Sequence, residues 1–111
     1  MHTPGPWAVH ESAIYDSDGF EIAAVDEEPI RLNWDSCGYR HWSEAEGVTF
    51  KRRSEKEVDA NARLIAAAPE LLEACKAMLD QLSHGRDLSE GAYADMMTRA
   101  RAAIAKAEPA P

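Results

Sequence analysis

The sequence predicts an α+β protein, an N-terminal antiparallel β-meander packed against two to three C-terminal α-helices. Three observations carry this. Short β-prone runs separated by turn residues fill the first half, with Asp16-Ser17-Asp18-Gly19 between Ala13-Ile14-Tyr15 and Phe20–Val25. Ser54 with Glu57 three residues on forms a capping box, the mark of a helix start. Leu71, Leu72, Cys75, Met78, Leu79 and Leu82 then recur at three- and four-residue steps, which puts one apolar face on a helix. The expected layout is a single domain over 1–111, with a strand-rich half at about 7–50, a helical half at about 54–107 and a frayed tail at 108–111.

The elements follow in order. Thr3-Pro4-Gly5-Pro6 is turn-like, because its prolines fix φ and remove two donors. Trp7–His10 alternates large apolar with small or polar residues and predicts a first strand. Ala13–Tyr15 and Phe20–Val25 continue it, with Phe20, Ile22 and Ala24 expected on one face. The connections are too short for crossovers, so the strands are antiparallel. Residues 26–47 predict a long hairpin extension or functional loop, with weak strands at Ile30–Leu32 and Tyr39–Trp42 and a last strand at Val48–Phe50. A helix runs from Ser54 to about Ala67 or Ala68. Pro69 then kinks it or opens a second helix, at a position proline tolerates. His84-Gly85 predicts a C-cap for that second helix, and Ser89 opens a last one with Tyr93, Met96, Met97, Ala100 and Ile104 in a stripe. Cys75 falls on the apolar stripe of its helix and is expected in the core.

The net charge of -8 disfavours direct DNA binding and attraction to anionic lipid. No apolar run reaches the length of a membrane span, and the opening lacks a basic segment followed by an apolar one. No membrane association and no secretory leader are expected, and Cys37 and Cys75 are expected to stay reduced in a cytoplasm. No catalytic group emerges: no nucleophile has a base fixed beside it, no phosphate loop exists, and His41 near Cys37 gives only two potential ligands. No enzyme, no metal and no cofactor are expected.

Four residues stand out as candidate ligand contacts. Asn61 lies on or beside the face of its helix that should be buried, so its amide either ties the helix to a backbone edge or contacts a base or ribose. Arg52, in the basic Lys51-Arg52-Arg53, either meets an anion near a helix N-terminus or sits in a solvated connector. Arg63 lies on another face and can pair with Asp59 one turn earlier. Trp7 is either a core anchor or a base-stacking ring.

His2-Thr3-Pro4-Gly5-Pro6-Trp7 and the run from Asp59 to Ala74, DANARLIAAAPELLEA, resemble a widespread family of small phage and prophage proteins. That family pairs a TPGPW opening with an ANARLIAAAPELLEAL helix across a β region of variable length. The chain departs from the pattern at Cys75, where the family carries Leu, and in its longer loop at about 26–47. The resemblance implies a non-enzymatic phage or prophage accessory protein, of a kind that often counters host defences. Its architecture is similar to phage sponge proteins that sequester nucleotide immune signals. The expected partners are then a small nucleotide-like ligand, held by Trp7, Arg52, Asn61 and Arg63, and further copies of the chain in a homodimer or higher homo-oligomer. The alternative is an acidic protein-interaction inhibitor of a host defence protein, of anti-CRISPR or anti-restriction type.

Overall fold

A computed structural model of the chain describes residues 1–83 and 89–108. It has the predicted α+β arrangement: a three-stranded antiparallel sheet, then three helices. The strands are β1 (Ala8–His10), β2 (Ala13–Tyr15) and β3 (Glu21–Ala24), paired in the order β1-β2-β3. The β1–β2 turn has positive φ at both central residues, Glu11 at 48° and Ser12 at 66°. The β2–β3 turn is closed by Asp16, whose carboxylate accepts from the Asp18 and Phe20 amides at 2.9 Å. A register shift between Ile14 and Tyr15 breaks the alternation expected of β3. Ile22 and Ala23, neighbours in sequence, therefore both pack on the core, while Phe20 and Ala24 are exposed.

The sheet ends sooner than expected. Residues 34–37 and 42–44 form 3-10 turns, and Tyr39–Trp42 is not a strand. The hairpin extension survives as a neck. Arg31 N donates to Thr49 O, Lys51 N to Pro29 O and Arg53 N to Glu27 O, around one antiparallel bridge between Ile30 and Phe50. The loop above the neck builds its own cluster. Trp42 meets Phe50 edge-on at 5.3 Å, and buried Thr49 donates toward the carbonyls of Trp42 and Ala45.

The helices are α1 (Glu55–Ala66), α2 (Ala68–Ser83) and α3 (Glu90–Ala107). Ser54 caps α1 by accepting from Glu57 N, and Ser89 caps α3 by accepting from Ala92 N, each at 3.1 Å. Pro69 sits in the first turn of α2, where its missing N–H costs nothing, and is buried. The expected C-cap at His84-Gly85 and the tail at 109–111 lie outside the described residues.

The core lies between the sheet and α1. Ile14, Ala62 and Ala66 are buried together, and Trp7, Val9, Ile22, Ala23 and Val25 pack against them. The hairpin of α2 and α3 is built differently. It buries alanines, Ala74, Ala100 and Ala103, and leaves Leu72 and Leu79 exposed. Cys75, expected in the core, is exposed as well. Its stripe is apolar, as read, but α2 turns its alanine face inward, since small side chains let two helices approach closely.

A candidate ligand groove between the proline segment and the helical hairpin

The N-terminal segment crosses the start of α2. Gly5 lies so close to Pro69 that a Cβ added there would stand 2.7 Å from Pro69 Cβ, so only glycine fits. The Gly5–Pro6 peptide is cis. Trp7 follows, with its ring against the core cluster and its Nε1 donating to Thr3 O at 3.1 Å and Pro4 O at 3.2 Å. The two segments on which the sequence resemblance rests are thus packed against each other.

Beyond this crossing lies a groove of about 790 Å³, walled by Pro4, Pro6 and Pro69, the alanines of α2 and α3, and the stems of Lys76, Arg99 and Lys106. Its surface is chiefly apolar, with three cations and two carboxylates, Glu70 and Glu73, around it. Each of the three cations has a carboxylate within 4 Å, Lys76 facing Glu73 at 3.8 Å. Lys106 Nζ meets Glu70 Oε1 at 2.7 Å, which also shows that α2 and α3 run antiparallel. The other oxygen, Glu70 Oε2, is buried and has no hydrogen-bond partner among the described residues. A buried acceptor without a donor is costly, and Glu70 is one of the residues that line the groove. Arg99 pairs with Asp95 one turn earlier at 3.1 Å, and both are well exposed.

A second, more polar cleft of about 640 Å³ runs between the β1–β2 turn and the first half of α1. It is lined by His10, Glu11 and Ser12 on one side and Glu55, Lys56, Asp59 and Arg63 on the other.

The four residues singled out in sequence are not brought to one place. Arg63 lines the second cleft and is paired with Asp59 at 2.9 Å. Asn61, two positions earlier, lies about 160° around the helix from it. It is half-buried, with no hydrogen-bond partner among the described residues. Arg52 lies in the neck and faces Glu28 at 3.4 Å and Glu46 at 4.0 Å. Trp7 packs on the core cluster and does not line the groove. Sequence reasoning missed Glu70, Arg99 and Lys106. The signal was present in Arg99, Ala102, Ala103 and Lys106, whose spacing places two cations and two methyls on one face of α3.

The structure defines the chain as a small α+β protein with a short sheet, three helices and an open groove between its N-terminal segment and its helical hairpin. A family model matches residues 1–110, and its description is Salmonella phage P22 protein Y8K6. The chain belongs to that phage protein family. No curated protein and no solved structure matches it. Among the described residues, no helix is long and apolar enough to cross a membrane.

Proposed function

We propose that the chain is a non-enzymatic phage accessory protein that acts in the host cytoplasm by sequestering a small nucleotide-like ligand, and that the ligand lies in the groove beside the proline segment. One observation carries this reading: the unpartnered Glu70 Oε2 beside an apolar groove edged by Lys76, Arg99 and Lys106. Proline rings and alanine methyls suit the flat apolar face of a base. A buried carboxylate oxygen suits its exocyclic amine. Cations at the rim suit its phosphate. A ligand that counts as an immune signal would make this an anti-defence protein.

The test is a calorimetric screen of adenine nucleotides and cyclic nucleotides. Binding by the parent should weaken roughly tenfold or more in Arg99→Gln, the usual effect of removing one charge-assisted hydrogen bond. Arg52→Ala, placed in the neck, should bind as the parent does. A parent that binds none of these nucleotides overturns the proposal.

A second reading rests on the loop. Leu32 is 91% exposed and Ile30 51% exposed, on a segment that also carries Glu27, Glu28, Glu44 and Glu46. An exposed apolar tip in an acidic surround fits a contact with a basic face of a host protein. In that case Leu32→Asp abolishes co-purification of a host defence protein while the nucleotide screen stays silent.

A further inference from the structure

We propose that the chain is a homodimer whose interface is the outer face of the α2–α3 hairpin, two hairpins packing face to face as a four-helix bundle. On α2, Leu71, Leu72, Met78 and Leu79 fall within an arc of about 120° on the side away from the groove-lining Glu73, with Lys76 at the border between the two faces. On α3, Tyr93 and Ile104 fall together on the side away from the groove-lining Arg99, Ala102 and Lys106. The two arcs therefore border one side of the hairpin, opposite the groove. Leu72 is 40% exposed, Leu79 66%, Tyr93 52% and Ile104 49%. None of these positions carries a charge, and large apolar side chains grouped this way mark an interaction surface.

Area favours a second copy as the occupant. The accessible surface is 8273 Å², against roughly 6,100 Å² for a folded monomer of 12.2 kDa. The surplus matches the share each subunit buries in the larger homodimers, roughly 1,000–2,500 Å². The radius of gyration is 18.9 Å, against roughly 13 Å for a compact chain of 111 residues. A twofold dimer is the commonest closed assembly, and antiparallel hairpins form it without leaving a free apolar face. The groove lies on the other side and stays open, so this proposal and the ligand proposal stand or fall separately.

The experiment is sedimentation equilibrium on the parent and on Leu79→Glu, with far-ultraviolet circular dichroism of both. The parent should be a dimer, and Leu79→Glu should be monomeric with parental helicity. A parent that is monomeric at high micromolar concentration overturns the proposal, as does a Leu79→Glu variant that remains dimeric. If Leu79→Glu loses its helicity, alkylation of Cys75 in a Cys37→Ser background decides. Protection of Cys75 that grows with protein concentration supports the interface, and a rate independent of concentration overturns it.

Discussion

The two halves of the molecule solve the same problem in opposite ways. The sheet and α1 bury Ile14 and Val58 almost fully, on a floor of Ala62 and Ala66, and of their large aliphatic side chains leave only Leu64 and Ile65, near the end of α1, outside. The α2–α3 hairpin buries its small side chains and presents Leu72 and Leu79 outward. Apolar periodicity is comparable in α1 and α2 and weaker in α3. What differs is what covers the stripe: in the first half a sheet stands opposite α1, while in the second nothing among the described residues stands opposite Leu72 and Leu79. A helix is amphipathic for a partner, and the partner need not belong to the same chain.

The largest expected effect tests the self-sufficient half. Ile14→Ala removes a fully buried side chain at the centre of the sheet–α1 core and should cost about 2–5 kcal/mol, independently of protein concentration. Leu79→Ala, on the outward face, should cost less than about 0.5 kcal/mol at the dilution where the chain is monomeric. Urea denaturation of the two variants checks the pair. Equal losses at high dilution would erase the contrast between the halves.

The crossing of the N-terminal segment over α2 joins the two halves, and Gly5 is its tightest point. Gly5→Ala places a methyl 2.7 Å from Pro69 Cβ, and a pyrrolidine ring cannot swing aside. The strain should cost about 1–3 kcal/mol, the usual price of overpacking. Pairing it with Pro69→Gly, which removes the opposing ring, should return part of that loss. Double-mutant denaturation measures the coupling, and strict additivity would mean that the contact is not the cause.

These contrasts also show what was legible in the sequence. The capping serines, the Asp16 turn and the three helices are local signals, and each was read from a few neighbouring residues. The inward face of α2 was not legible, because periodicity finds an apolar stripe without saying what lies across from it. Ala74, which looks like filler in a sequence, is buried and lines the groove together with Ala102 and Ala103 of α3. For Arg52 the sequence leaves open an anion contact near a helix start or a place in a solvated connector. The neck instead folds Glu28 and Glu46 beside it, a pairing between residues distant in sequence. The groove joins residues 1–6 to residues 99–106 and could not be assembled from any one window, although the two cations of α3 were visible on one face.

The smallest expected effect concerns Asn61, the residue that stood out most on sequence grounds. A scaffold role requires partners, because an amide that ties a helix to a backbone edge shows a hydrogen bond to it. Asn61 is half-buried on the flank of α1 opposite Arg63, and no hydrogen bond joins it to a described residue. Asn61→Ala therefore removes no bond, and it replaces a moderate helix former by the best one, a gain of roughly 0.5 kcal/mol. That gain is offset in part by lost contacts of the amide stem. The net change should lie within about 0.5 kcal/mol of zero, the range of substitutions that touch no core, cap or network. Thermal melts followed by circular dichroism check it, and a loss of 1 kcal/mol or more, the cost of stranding a buried polar partner, would return Asn61 to the scaffold. Because Asn61 does not line the groove, the same variant should also bind nucleotides as the parent does. A variant that keeps its stability and loses that binding would move the ligand from the proline groove to the flank of α1.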